Sequence, residues 1–197
     1  MAYILSIETT TTNCSVSLSF KGETLVLKDD YTPGFSHAER LHVYIDEVLK
    51  EAKIDAQQLN AIAVSKGPGS YTGLRIGVSA AKGLCFALNI PLISIATLEA
   101  LSHQTSIDDG VIIPMLDARR MEVYSAVFSS KYKQIRDTQA QILEENSFKD
   151  YLDSGNVYFI GSGVEKTKEL IPHDNAVFIE DKLPSACLLY TSPSPRD

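Results

Sequence analysis

Apolar and polar positions alternate with period two from Cys14 to Phe20. Val16, Leu18 and Phe20 fall on one face, Ser15, Ser17 and Ser19 on the other, the signature of a strand with one face toward a core. Before it, Tyr3 to Glu8 is a short apolar run ending in a carboxylate, followed by the polar turn Thr9-Thr10-Thr11-Thr12-Asn13. Lys21-Gly22-Glu23 turns the chain again and Thr24 to Lys28 returns as a third strand, so the chain opens as an antiparallel meander. Ser36-His37-Ala38-Glu39 has the form of a capping box. The helix it starts, His37 to Ala52, carries Leu41, Ile45, Val48 and Ala52 on one stripe. Asn60–Ser65 and Ile90–Ile95 are predicted strands. Between them the glycine-rich turn Lys66 to Gly77 feeds a helix that runs to Leu88, and Thr97–His103 is a short helix.

The second half repeats the first in outline. Beyond the linker candidate Ser106–Gly110, Val111 to Leu116 is another apolar run, and it too ends in a carboxylate, Asp117. A polar turn, Ala118-Arg119-Arg120, and an alternating strand, Glu122 to Phe128, follow. Val157–Ile160 then leads through Gly161-Ser162-Gly163 into a helix from Val164 to Leu170. The repeated pattern predicts a duplicated α/β protein with two mixed-sheet halves. The halves expected are residues 1–106 and 107–186, the second incomplete, with an atypical tail at 187–197. Leu183 to Ala186 could begin a helix, but Pro193 and Pro195 cannot continue it. The tail is either a natural disordered end or a stretch foreign to the fold.

Composition narrows the function. Of 197 residues 44% are hydrophobic and 22% charged, with net charge −7, which excludes a disordered tail. No run approaches the ~18 apolar residues of a membrane span, and the N-terminus lacks the pattern of a signal peptide. Three widely spaced cysteines, Cys14, Cys85 and Cys187, suit a reducing compartment. These features point to a cytoplasmic protein without a membrane partner. Nucleic-acid affinity needs clustered Lys and Arg, and the nearest basic pair is Arg119-Arg120. RNA is therefore expected to be held through a partner.

The loop from Gly67 to Gly77 is the strongest local signal, yet it fails as a phosphate loop, having no Lys-Ser or Lys-Thr after a glycine. It also misses the dinucleotide fingerprint, because Thr72 stands where the third glycine belongs. Gly73 and Gly77 lie four apart on one helical face with Ala80 and Ala81 beyond, a bare stripe on which another helix could pack. Glu8 and Asp117 end equivalent strands, where two carboxylates could hold hydrated Mg²⁺, although acids at strand ends are also ordinary turn formers. His37, His42, His103 and His173 show no metal-ligand spacing. No metal site is expected.

Ile7-Glu8-Thr9, Ser36-His37, the loop from Lys66 to Gly77 and the stretch Asp117-Ala118-Arg119-Arg120-Met121-Glu122-Val123-Tyr124 together resemble the TsaB (YeaZ) family, over about residues 2 to 186. The resemblance implies the duplicated ribonuclease-H-like fold of the actin/Hsp70/sugar-kinase (ASKHA, actin-like ATPase) superfamily. It implies a role in making N6-threonylcarbamoyladenosine on tRNAs that read codons beginning with A. There TsaB is the non-catalytic partner of the transferase TsaD, the ATPase TsaE joins them, and tRNA is reached only through the complex. The paralogue TsaD carries a His-Met-Glu-Gly-His metal motif after the strand equivalent to Ile90–Ile95. Here that place reads Thr97-Leu98-Glu99-Ala100-Leu101, so no catalytic residue is expected. No cofactor is then required by the chain alone, with ATP or ADP and Mg²⁺ at most shared in the complex. Residues of a vestigial nucleotide site would be Glu8, Thr9, Asp117, Gly161 and Gly163. The expected partner surface, for a TsaD-like subunit or a second copy of the chain, comprises Leu41, Tyr44, Ile45, Val48, Gly73, Gly77, Ala80, Ala81, Leu84 and Leu88. The rival class is a small-molecule kinase or nucleotide hydrolase of the same fold, using Glu8 and Asp117 on Mg·ATP and Gly161-Ser162-Gly163 against the adenosine.

Overall fold

A computed structural model describes residues 2–31 and 37–189. The chain forms two compact units: residues up to Ala100 together with the returning segment from Pro184, and Leu101–Leu183. The division falls inside a helix, Thr97–Ser102, rather than after residue 106. Ala100 is buried with Ala63 and Ile95 of the first unit, whereas the Leu101 side chain lies against Gly161 of the second. The last residues expected in the second half, Pro184 to Ala186, belong to the first unit.

In the first unit, β1 (Tyr3–Glu8), β2 (Cys14–Phe20) and β3 (Glu23–Asp30) form the meander, followed by α1 (His37–Ala52), β4 (Ala61–Ser65), α2 (Tyr71–Leu88), β5 (Leu92–Ile95) and α3 (Thr97–Ser102). The sheet order is β3-β2-β1-β4-β5, antiparallel through the meander and parallel from β1 to β4 and β5. Leu5, Ile7, Val16, Leu18, Ile62 and Val64 pack with Leu41, Ile45 and Val48 of α1 and with Ala81 and Cys85 of α2. The stripe read from the α1 sequence is thus its inward face. The start of the capping box, Ser36, lies outside the described residues.

The second unit contains β6 (Val111–Asp117), β7 (Glu122–Ser129), β8 (Gln134–Ile142), α4 (Lys149–Leu152), β9 (Val157–Ile160), α5 (Val164–Leu170) and β10 (Ala176–Ile179). Its sheet order, β10-β9-β6-β7-β8, is the first order read from the other edge, with β6 standing for β1, β7 for β2 and β9 for β4. The strand directions repeat as well. The duplication is therefore topological, down to parallel and antiparallel sense. Its core gathers Ile113, Met115, Val123, Val127, Phe148, Phe159 and Val164.

The first sheet buries a second face that the alternating pattern did not mark. Ser15, Ser17 and Ser19, the polar side of β2, are all buried. The returning segment, ending in a 3₁₀ turn at Ala186–Leu189, lies across β1 to β4, and Leu188 and Leu189 pack with Ala63, Ile93 and Ile95. The expected tail thus contributes residues 187–189 to this packing; its remainder lies outside the described residues. Among the described residues no helix is long and apolar enough to cross a membrane.

Candidate functional site

Glu8 ends β1 with its carboxylate buried. Oε1 accepts from the Thr10 amide at 2.6 Å and the Thr10 hydroxyl at 2.5 Å, and Oε2 accepts from the Ser65 hydroxyl at the end of β4. Burial pushes the carboxyl above its ordinary value, and the bonds from Ser65 and Thr10 oppose that shift. A carboxylate so enclosed fixes the β1–β2 turn and presents no free oxygen to a hydrated cation.

That turn is in turn occupied by the glycine-rich loop. The Ser70 amide donates to the Thr10 carbonyl at 2.7 Å, and the Thr9 hydroxyl donates to the Gly73 carbonyl at 2.8 Å. A Cβ on Gly73 would collide with the Thr9 carbonyl oxygen, and one on Gly77 with the Thr9 hydroxyl. The Ser70 hydroxyl caps α2 through the Gly73 amide at 3.3 Å, and the Thr97 amide holds the loop from below through the Gly67 carbonyl at 3.0 Å. The bareness of Gly73 and Gly77 therefore serves the chain's own β1–β2 turn. This corrects the expectation that it leaves room for a partner helix.

The other expected interface residues divide by face. Leu41, Ile45, Val48 and Ala81 are buried inside the first unit. Tyr44, Ala80, Leu84 and Leu88 are half-buried against its core, and the Tyr44 hydroxyl donates to Asp30 at 3.2 Å. What the helices leave outward is Val43 at 51% exposure, Tyr71 at 74% and Phe86 at 90%, with the Arg75 guanidinium over the Tyr71 ring. Phe86 follows Cys85, the end of the inward Gly73-Gly77-Ala81-Cys85 row. Its turn of about 100° off that row was the available signal.

In the second unit Asp117 is paired. Its Oδ1 receives Lys166 Nζ at 2.6 Å and the Arg119 amide at 2.8 Å, while its own amide donates to the Ser162 hydroxyl at 3.1 Å. Lys166, only 17% exposed in its side chain, also donates to the Arg120 and Glu122 carbonyls at 2.9 and 2.6 Å. The ammonium thus engages Oδ1 and balances the carboxylate charge that a divalent ion would need. Gly161, at φ +113°, faces the Met115 carbonyl and Leu101, and Gly163 faces Val123 and Met115. Both glycines let α5 approach β6 closely. The residues of the vestigial nucleotide site are thus each engaged within their own unit, and they do not fit a nucleotide–magnesium group held by this chain alone.

In the segment Thr97–Leu101, where no catalytic residue is expected, Thr97, Leu98, Ala100 and Leu101 are buried. Glu99 is pushed up by burial, opposed by Lys66. Among the described residues no group of three or more His, Cys, Asp or Glu side chains could hold a metal ion.

A family model described as TsaD, tRNA N6-adenosine threonylcarbamoyltransferase, matches residues 35–182. The chain is 35% identical over 128 residues to the Bacillus subtilis tRNA threonylcarbamoyladenosine biosynthesis protein TsaB, covering 65% of this chain and 56% of that protein. To the Escherichia coli protein of the same name it is 30% identical over 202 residues, covering 95% and 87%. A solved YeaZ structure from Pseudomonas aeruginosa superposes with TM-score 0.81 at 26% identity, covering 96% of this chain and 89% of that one. The ethanolamine utilization protein EutJ from Carboxydothermus hydrogenoformans, at TM-score 0.50 and 12% identity, shares the fold alone. With close to nine-tenths of the Escherichia coli protein aligned and the family model matched over residues 35–182, this chain belongs to the TsaB (YeaZ) family.

Proposed function

We propose that this chain works in tRNA threonylcarbamoyladenosine biosynthesis as a non-catalytic subunit, pairing with a TsaD-type transferase that the TsaE-type ATPase joins. The role in the pathway is taken from the names of its relatives. The non-catalytic part is carried by one observation: both strand-end carboxylates are already committed, Glu8 to Thr10 and Ser65 and Asp117 to Lys166. A kinase or nucleotide hydrolase of this fold needs those carboxylates facing metal and phosphate. The sequence Thr97-Leu98-Glu99-Ala100-Leu101 supplies no imidazole in their place. In this reading the transferase chemistry belongs to the partner.

The partner surface is the outward side of α1 and α2, where Val43, Tyr71 and Phe86 are exposed and Tyr44, Leu84 and Leu88 are half-buried. Exposed aromatics beside an arginine are the residue types that anchor interfaces. The deciding experiment co-purifies the chain with the TsaD-type subunit of its own genome and measures complex mass by light scattering. It also assays ATP turnover by the chain alone. A heterodimer with no turnover by the isolated chain is expected. Metal-dependent turnover by the isolated chain, lost in Asp117→Asn, would establish the rival enzyme class instead.

A further inference from the structure

We infer that the returning segment, Pro184–Leu189, is a strap latched over the serine face of the first sheet, able to open while the rest of that unit stays folded. The two faces of this sheet are closed by different chemistry. Toward α1 and α2 the strands present Leu5, Ile7, Val16 and Leu18, all fully buried. Removing the helices would return a large apolar area to water. The opposite face presents Ser6, Ser15, Ser17 and Ser19, with Ser6 directly opposite Ser17.

The strap is fastened at one end by a polar latch. Asn13 Nδ2 donates to the Pro184 carbonyl at 2.9 Å and to Asp29 Oδ1 at 3.2 Å, and Asn13 Oδ1 accepts from the Asp30 amide at 3.1 Å. The Ser185 hydroxyl donates to both Asp29 oxygens, each at 3.1 Å. The Ala186 amide donates to the Ser15 hydroxyl at 2.8 Å. Leu188 and Leu189 add an apolar contact with Ala63 and Ile95.

Beyond the latch the same face holds a cost. The hydroxyls of Ser6, Ser17 and Ser19 are buried with no hydrogen-bond partner among the described residues. A buried hydroxyl without a partner loses its water and receives nothing in exchange. Lifting the strap lets water back to such groups, and their rehydration offsets part of the cost of opening. No such offset exists on the α1 face, where the groups uncovered are apolar. Local opening on the serine side is therefore cheaper than global unfolding, and the latch at Asn13 and Ser185 sets how often it happens.

The test is amide hydrogen exchange on the full chain at neutral pH, comparing the peptide over residues 184–189 with β1 and β4. The strap should exchange about tenfold faster or more than either strand. Ser185→Ala, which touches only the latch, should speed strap exchange further while leaving β4 and α2 unchanged. Asn13→Ala should do so more strongly if it folds. Ser17→Ala, which removes an orphaned hydroxyl, should act in the opposite direction and slow the strap. Strap exchange at the rate of β1 and β4 would overturn the inference, because opening would then be global. So would a Ser17→Ala variant that speeds strap exchange.

Discussion

Thr9 decides what α2 can be. Its hydroxyl donates to the Gly73 carbonyl, and its backbone and side chain fill the space where Gly73 and Gly77 would carry a Cβ. Gly77→Ala should therefore cost about 1–3 kcal/mol, the range of small overpacking changes, read as a lowered midpoint in thermal melting. The colliding atom is the Thr9 hydroxyl, so adding Thr9→Ala should recover part of the loss. An unchanged melt for Gly77→Ala would contradict the contact. A second residue-scale effect concerns His103, stacked on Tyr132 with ring centroids 4.1 Å apart. Its Nε2 is buried without a partner, and burial pulls it below the ordinary 6.5. With the folded value depressed, the unfolded chain takes up the proton first as pH falls, so stability held above about 6.5 is lost below it. His103→Phe keeps the stack and removes the proton. Its melting midpoint should fall less than that of the unsubstituted chain between pH 7.5 and 5.5.

Elements with a buried face announced themselves, and those without one did not. The β2 strand has the bounds its alternation predicts, although both of its faces are buried, and the α1 stripe of Leu41, Ile45 and Val48 is the buried one. By contrast β8, Gln134–Ile142, is mostly exposed at a sheet edge, so no period marks it. The β10 strand, Ala176–Ile179, is a four-residue run, too short for a period to register. The site was legible as residues but not as contacts. Glu8 and Asp117 stand at equivalent strand ends as read, yet Ser65 and Lys166, which engage them, come from 57 and 49 residues away. The glycine spacing was visible too. Its partner, the β1–β2 turn, is brought there only by the parallel pairing of β1 with β4. The same reasoning separates folding from association on α2. Phe86→Asp changes a side chain 90% exposed, so the melt should move by no more than about 0.5 kcal/mol. Association with a TsaD-type subunit should weaken at least about tenfold, as for a central aromatic anchor, measured by light scattering across a dilution series. Unchanged association would remove α2 from the proposed interface.

Across the whole molecule, one plan is used twice and then made unlike. Both sheets keep the same strand order and directions, but the turn after β1 is filled by the glycine-rich loop and the turn after β6 is tied by Lys166. At both strand ends the carboxylate is engaged by the chain's own side chains, Glu8 by Thr10 and Ser65 and Asp117 by Lys166. The charge of the chain points the same way. With 18 basic and 25 acidic residues, net −7, it repels a polyanion at long range, and its adjacent arginines, Arg119 and Arg120, sit on one exposed turn. Affinity for RNA rises with the number of phosphates neutralised and falls steeply with salt. Two arginines on a turn allow at most about two such contacts, a log–log salt slope of roughly −1.4 to −1.8. The isolated chain should therefore bind tRNA weakly at physiological salt, and adding a TsaD-type subunit should both tighten binding and steepen the slope. Fluorescence anisotropy with labelled tRNA, titrated at several salt concentrations with and without that subunit, measures both. Tight binding by the chain alone, lost in the Arg119→Ala/Arg120→Ala double variant, would mean that the turn rather than the net charge governs RNA contact.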